Sequence, residues 1–369
     1  MSNTYDAIVV GGGLVGSALA YGLQRKGLST VILDEGDIAY RAARGNFGLV
    51  WVQSKGTDFP PYAQWTWKSA QSWAELNAEI VDVTGDDIGY SRPGGAELCI
   101  NEKEFESKHE NMLRLQSHAS HFKFEMLDRK ALAEVIPSIG PEVIGGCYSP
   151  ADGHANPLFL LRGLHQSLLK KGGRIENGGK VTTIKRQGDA FSVSANNETY
   201  HGARLVLAAG LGTKDLASMI GMNVPIRPQR GQILVTERVK PFLSLPLSKV
   251  RQTTEGSVQL GDSQEEVGFD EGTTSSVMNH IAHRAVRLFP HLKRARVVRA
   301  WGALRVMSPD GYPVYAQSEE HPGAFAAICH SGVTLAAAHA LHLAESIVDG
   351  ALPDELAPMS EQRFNHAEN

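Results

Sequence analysis

The sequence predicts an α/β fold, a parallel sheet flanked by helices, with a smaller β-rich α+β unit inserted into it. Three observations carry this expectation. The apolar run Ala7-Ile8-Val9-Val10 leads directly into Gly11-Gly12-Gly13 and then a helical stretch. A second helix-and-strand passage fills the middle of the chain, from Asn156 to Gly210. The C-terminal part returns to strand, glycine turn and helix. Strands that alternate with helices make parallel sheets, because each helix carries the chain back across one face.

The first element is a strand over Ala7–Val10, followed by a helix from about Leu14 to Lys26. A second strand, Thr30–Leu33, ends in Asp34-Glu35. Gly11, Gly13 and Gly16 form a G-x-G-x-x-G loop in its full context of strand, tight turn, helix, strand and acidic residue. Gly11 permits the sharp turn, Gly13 lets backbone approach a pyrophosphate, and Gly16 lets the helix pack closely on the strand. The helix N-terminus directs free N–H groups and partial positive charge at the phosphates. Asp34 is suited to accept hydrogen bonds from an adenosine ribose. These features together indicate a dinucleotide-binding unit of Rossmann type.

In the middle passage, Asn156-Pro157 reads as N-cap and first helical residue, Pro157–Lys171 as an amphipathic helix, and Gly172-Gly173 as its stop. Short strands follow at Arg174-Ile175, Val181–Ile184 and Phe191–Ser194, and Leu205–Leu207 is a buried strand running into Ala208-Ala209-Gly210. Two stretches of different character interrupt this pattern. The first, about Asp86 to Met126, contains a strand at Ala96–Ile100; the second contains strands at Gln232–Thr236 and Ser257–Leu260, then a helix over Thr274–Leu288 stopped by Pro290. The last passage has a strand at Phe325–Cys329, a turn at Gly332 and a helix from about Thr334 to Val348. The expected organisation is a discontinuous nucleotide-binding domain (1–85, 146–215 and 300–369) and a substrate-binding domain (86–145 and 216–299). Pockets are common between two such domains.

Composition narrows the function. The chain has 369 residues, enough for a large core, and a formal net charge of −4 with no long basic block, which argues against nucleic acid as a partner. Cys99, Cys147 and Cys329 are isolated, so neither a disulfide framework nor an iron–sulfur site is expected. The first strand begins too near Met1 for a signal peptide, and the most apolar stretch, Val333–Val348, carries His339, His342 and Glu345. No transmembrane segment is expected. The expected setting is cytoplasmic, with peripheral attachment to the inner membrane only through a partner.

Further blocks resemble the D-amino acid oxidase-type FAD-dependent oxidoreductases, the group that includes glycine and sarcosine oxidases. Ala43-Arg44-Gly45-Asn46-Phe47-Gly48-Leu49 is similar to the loop that folds over the flavin side of FAD in that group. Pro150 to Pro157 resembles its segment leading into the middle helix, Ala208-Ala209-Gly210 its strand end beneath the dinucleotide, and Gln229-Arg230-Gly231-Gln232 the start of its second domain. Trp301-Gly302-Ala303-Leu304-Arg305 with Pro309-Asp310-Gly311-Tyr312-Pro313 is close to its W-x-G-x-R…P-D-G-x-P signature. His330-Ser331-Gly332-Val333-Thr334-Leu335 resembles the turn that faces the flavin pyrimidine ring. These blocks follow the family's order over nearly the whole chain. Within the group, Cys329–Thr334 and Leu260–Glu265 look most like the β subunits of bacterial opine oxidases.

The resemblance implies a glutathione reductase-type FAD-binding domain and a non-covalent FAD. It implies contacts from Gly11, Gly13, Leu14, Val15, Gly16, Asp34 and Glu35, and from Ala43, Arg44, Asn46, Phe47, Gly48 and Leu49. Val181, Ala209, Gly210, Gly302 and Arg305 complete the set with Ser331, Gly332, Val333 and Thr334. Arg305 and His330 are the implied catalytic and substrate-binding residues, with Gln264 and Trp51 as further substrate contacts. A guanidinium fork suits a carboxylate, and a glycine turn entering a helix suits charge that develops on a flavin. Three departures stand out. His330 occupies the place of a second arginine in glycine oxidases, and Leu211-Gly212 replaces a family tryptophan. No cysteine stands at Val306 or Met307, where monomeric sarcosine oxidases attach FAD covalently.

The implied reaction is oxidation of a secondary amine or amino acid next to nitrogen, giving an imine that hydrolyses to keto acid and amine. The implied partner is a further chain of the same complex, holding FMN or an iron–sulfur cluster. Two alternatives stay open, a stand-alone glycine, sarcosine or D-amino acid oxidase that uses oxygen, and a flavin-bearing assembly or electron-relay subunit. An NAD-dependent dehydrogenase or an FAD monooxygenase explains only the first motif. Several residues also have simpler readings: Arg305 as a structural ion pair, Trp51, Trp65, Trp67 and Trp73 as a helix packing face, Glu265 and Glu266 as solvated loop carboxylates. The histidine pairs His280/His283 and His339/His342 lack a third metal ligand at sensible spacing, and no metal is expected.

Overall fold

A computed structural model describes residues 3–36 and 42–365 of the chain. Strand β1 (Thr4–Val10), helix α1 (Leu14–Arg25) and strand β2 (Thr30–Asp34) form the opening unit, with β1 and β2 parallel. Ala7–Val10 is buried at every position. A strand covered on both faces needs a continuous apolar run rather than an alternating one. After the glycine-containing loop come β3 (Leu49–Val50) and the long helix α2 (Pro60–Thr84). Pro60 and Pro61 start α2 without loss of a helical hydrogen bond, and Gly85, at φ 77°, ends it. Trp65 and Trp73 are buried on its inner face, while Trp67 is half-buried against His121.

Next, β4 (Gly95–Cys99), α3 (Glu102–His118), β5 (Glu125–Asp128), α4 (Arg129–Val135) and β6 (Gly145–Ser149) make a three-stranded antiparallel sheet with two helices. β7 (Gly153–His154) pairs back onto β3. Helix α5 (Pro157–Lys170) starts at the expected cap, where the Asn156 side chain accepts from the Leu158 and Phe159 N–H groups. β8 (Arg174–Asn177), β9 (Val181–Gln187), β10 (Ala190–Ala195), β11 (Glu198–Leu207) and α6 (Thr213–Ser218) follow. The remaining elements are β12 (Arg227–Arg238), β13 (Val250–Gln252), β14 (Ser257–Leu260), α7 (Ser275–Leu288), β15 (Val297–Met307), β16 (Val314–Gln317) and β17 (Ala324–Ile328). Helix α8 (Ala336–Ala338) then runs through a π turn (His339–Leu343) into α9 (Ala344–Asp349). The last helix was expected from Thr334; a turn precedes it, and its regular pattern is broken by the π turn. There Gly22 of α1 approaches so closely that a Cβ would lie 2.2 Å from the Ala340 carbonyl oxygen.

The main sheet has the order β16-β17-β11-β1-β2-β8, parallel from β17 to β8, with β10 added antiparallel to β11 and β9 antiparallel to β10. The second large sheet has the order β13-β14-β12-β15. A bridge between Ala96 and Leu247 joins it to the three-stranded sheet. Both inserted stretches share one core, in which Ala96, Leu98, Leu132 and Ile136 meet Leu234, Val250, Ile281 and Phe289.

Two expected domain boundaries fall inside strands. β6 runs across 145/146 and pairs with β4 and β5, and β15 runs across 299/300 and pairs with β12 along its length. Hydrogen bonding therefore puts both with the β-rich unit. Composition does not report which distant strand a given strand meets.

Candidate active site

A cavity of about 420 Å3 opens where β1, β11 and β17 end side by side. The C-terminal edge of a parallel sheet is where such folds leave room for a ligand. Its walls include Gly11, Gly13, Leu14 and Val15, then Asp34 and Glu35, then Ala43 and Asn46. Val181 stands at one side, Ala209 and Gly210 follow β11, and His330 and Gly332 follow β17.

The glycine loop is rigid by construction. Gly11 has φ +106° and lies so near β11 that a Cβ would be 2.4 Å from the Ala208 carbonyl oxygen. A Cβ at Gly13 would meet nothing within 4 Å, so the space before it is open. A Cβ at Gly16 would sit 1.9 Å from the Gly11 carbonyl oxygen. Asp34 Oδ2 accepts the Gly12 N–H at 2.6 Å, and Ser17 Oγ donates to the Gly12 carbonyl at 3.1 Å. No side chain caps α1, so its leading N–H groups remain available to an anion.

At the other end, the loop from Ala43 crosses β15. Trp301 Nε1 reaches the Gly45 carbonyl at 3.4 Å, and Asn46 Oδ1 accepts the Gly48 N–H at 2.8 Å. The Thr334 hydroxyl then clamps the chain, accepting from Trp51 N–H at 3.1 Å and donating to the Leu49 carbonyl at 3.0 Å. A turn closed by Lys55 N–H to the Val52 carbonyl follows, with Ser54 at φ +67°. Lys108 Nζ donates to Ser54 Oγ at 2.7 Å and to Glu97 at 2.6 Å, which holds that uncommon conformation. This turn delivers Lys55. Its Nζ lies 3.3 Å from His330 Nε2 and donates to Ser331 Oγ at 3.1 Å, while Tyr62 OH is 2.8 Å from the same Ser331 oxygen.

Arg305, on β15, is held from the second sheet. Its Nη1 donates to the Ser263 carbonyl at 2.8 Å and its Nη2 to Asp262 Oδ2 at 3.1 Å. Asp262 Oδ1 takes Lys249 Nζ at 3.2 Å. Burial, then the nearby Lys55 and Arg305 charges, hold the His330 ring well below the ordinary histidine range, so it is neutral. Burial, aided by Arg305, lowers Lys55 to about 8. Asp152 is raised to about 7 by burial, although it accepts from the Val52 and Gln53 N–H groups and from Gln53 Nε2 at 2.6 Å.

The sequence-derived residues thus divide into groups. Gly11, Gly13, Leu14, Val15, Asp34, Glu35, Ala43, Asn46, Val181, Ala209, Gly210, His330 and Gly332 line the cavity together. Gly16 serves the close packing of α1 instead. Arg44, Phe47, Gly48 and Leu49 belong to the crossing loop, with the Phe47 ring close to Gly261. Val333 packs into the core with Leu14, and Thr334 acts through its clamp. At Gly302 a Cβ would lie 2.5 Å from the Gly272 carbonyl oxygen, so its bareness admits that loop. Gln264 is exposed on its loop. Trp51 is buried against Gly95. Glu265 is half-buried and ion-paired with Arg230 at 2.7 Å, while Glu266 is exposed and pairs with Arg227 at the surface. His339 and His342 bond to Tyr315 and Ser72. Lys55, Tyr62, Lys249 and Asp262 escaped the sequence reading. Lys55, between serine and glycine, has the signature of a solvated turn.

A cavity with an open glycine, an uncapped helix N-terminus and an acidic strand end fits the pyrophosphate and ribose of a dinucleotide on its own geometry. This defines a dinucleotide-binding protein of two-sheet architecture. Residues 6–346 match the family described as "FAD dependent oxidoreductase", and the chain belongs to it. It is 40% identical over 362 residues, covering 98% of both chains, to the B subunit of opine oxidase from Rhizobium meliloti, and equally to that from Agrobacterium tumefaciens (strain Ach5). Its fold matches the crystal structure of glycine oxidase from Geobacillus kaustophilus with a TM-score of 0.88 at 22% identity, covering 97% of this chain and 98% of that one. The family's cofactor, FAD, is thus the dinucleotide, and no cysteine stands at 306 or 307 to bond it. Among the described residues, no helix is long and apolar enough to cross a membrane.

Proposed function

We propose that the chain oxidises the carbon–nitrogen bond of a secondary amine bearing a carboxylate, an opine-type amino acid derivative, as the FAD-bearing member of a larger complex. The observation that supports this most is the pair of cations beside the cavity-lining His330: Lys55 Nζ lies 3.3 Å from its ring, and Lys55 and Arg305 both act on its charge, next to the turn at Gly332. When bound, FAD supplies the hydride acceptor for the carbon next to nitrogen, and the resulting imine takes up water to give a keto acid and an amine. This chain's residues do the holding. Backbone at Gly11, Gly13, Leu14 and Val15 would grip the pyrophosphate, and Asp34 with Glu35 the ribose. Arg305 would grip the substrate carboxylate by exchanging Asp262 for it, while its bond to the Ser263 carbonyl keeps the fork oriented. His330, being neutral, orients Lys55 without adding charge.

The names of the two 40%-identical relatives, each the B subunit of an opine oxidase, support a multi-subunit assembly. Cys99, Cys147 and Cys329 are free, and burial raises each thiol to about 12, a poor basis for an iron–sulfur cluster. Electrons would leave toward FMN or an iron–sulfur cluster on a partner. The test is anaerobic mixing of the yellow holoprotein, co-expressed with its genomic neighbours, with octopine, nopaline, sarcosine or D-proline. Rapid bleaching by one of these amines is the expected result, with turnover faster on an artificial dye than on oxygen and with a second chain copurifying. Absence of bleaching by every amine overturns the oxidation. A lone chain that turns over equally fast with oxygen overturns the complex.

A further inference from the structure

The groups around the cavity-lining His330 carry more positive charge than their carboxylates balance. Asp262 is shared by Arg305 at 3.1 Å and Lys249 at 3.2 Å. Among the described residues Lys55 has no carboxylate within ion-pair distance; its polar neighbours are the His330 ring at 3.3 Å and the Ser331 hydroxyl at 3.1 Å, both uncharged. Asp152, the other acidic group near Lys55, is fully buried and committed to the Val52 and Gln53 N–H groups and the Gln53 amide. A half-buried ammonium without a counter-ion is costly, and the cost disappears when a ligand brings an anion. The strained turn at Ser54, braced by Lys108, keeps this ammonium beside the cavity-lining His330 rather than in solvent.

We propose that Lys55 is a specificity-determining residue that receives a second substrate carboxylate, so that the site selects iminodicarboxylates, secondary amines with a carboxylate on both arms. Arg305 holds one arm and Lys55 the other, with the nitrogen between them. This rests on the oxidation proposed above for the same site. Removing a charge-assisted contact of this kind weakens binding roughly tenfold to a hundredfold.

The test uses the FAD-loaded protein and two ligands that cannot be oxidised at nitrogen, diglycolate (two carboxylates) and methoxyacetate (one), with affinities read by calorimetry. The wild type is expected to bind diglycolate at least tenfold more tightly. Lys55→Gln is expected to bring the ratio of affinities to within about twofold of unity, and Lys55→Arg to restore part of it, each with wild-type flavin content. Equal binding of both ligands by the wild type overturns the proposal, as does a preference that survives in Lys55→Gln or that disappears only in Lys249→Gln. A parallel bleaching assay with iminodiacetate and sarcosine separates the two readings. Bleaching by both amines at equal efficiency sinks the Lys55 assignment and leaves amine oxidation standing. A diglycolate preference without bleaching by any amine does the reverse.

Discussion

A methyl group added at Gly13 would meet empty space, whereas one at Gly16 would lie 1.9 Å from the Gly11 carbonyl oxygen. The two glycines of one motif therefore answer to different demands, ligand approach and internal packing. Gly13→Ala is expected to leave the melting of flavin-free protein within about 0.5 kcal/mol of wild type while sharply lowering the flavin-to-protein ratio. Gly16→Ala is expected to destabilise the flavin-free protein itself by roughly 1–3 kcal/mol. Thermal melts and flavin absorbance check both. Lys55 adds a pH dependence. Burial and Arg305 lower it to about 8 from 10.5, so between those values the unfolded chain holds the proton more tightly, and this group's contribution to stability rises with pH. Ligand preference runs the other way, since only the ammonium attracts a second carboxylate. The ratio of diglycolate to methoxyacetate affinity should fall as pH rises from 7 to 9; a flat profile would remove the lysine charge from the account. Gly13 and Asp34 could be picked out because both stand in one strand–helix–strand unit whose pattern is local. Lys55 was not, because His330 and Ser331 reach it from 275 and 276 residues away.

Elements show the same division. β1, α1 and β2 could be read from periodicity and glycine placement, as could the Asn156 cap, since each is decided locally. β6 and β15 were not set out as strands from the sequence; their partners, β4 and β5 for the one and β12 for the other, are chosen by tertiary packing. Within the segment from Leu49 to Lys55, Leu49 and Trp51 are tied down by one side chain from the far end of the chain. Thr334→Val keeps the shape but leaves the Trp51 N–H and the Leu49 carbonyl without that hydroxyl, a cost of about 1–3 kcal/mol if neither finds water. The expected result is a lower melting temperature and faster flavin loss on dilution, both recovered by Thr334→Ser. Unchanged flavin retention in the valine variant would show that the loop is held by other means.

Across the whole molecule, the cavity is assembled from strand ends that lie far apart in sequence: β1 closes at Val10, β11 at Leu207 and β17 at Ile328. β1 and β11 pair directly, and β17 adds to β11 only through Leu205–Leu207. The parallel order of the main sheet was legible as a class, but its sequence of neighbours was not, since no local pattern states which strand stands beside which.

That strand order sets a timetable for synthesis. At roughly 5–20 residues per second, the ribosome needs on the order of 20–70 s to make a chain of this length. For most of that interval the wall that carries His330 and Gly332 does not exist, although the glycine loop emerged at the start. Colour should therefore arrive late. Nascent chains stalled before Ala324 are expected to retain no FAD through gel filtration, and chains released at full length to retain it. A stalled chain that already holds flavin would mean that the glycine loop and β11 suffice. Until the last strand slots beside β11, the apolar edge of the main sheet is open to other unfinished copies, so flavin supply and chaperone capacity late in translation should govern the yield of active protein more than the rate at which translation begins.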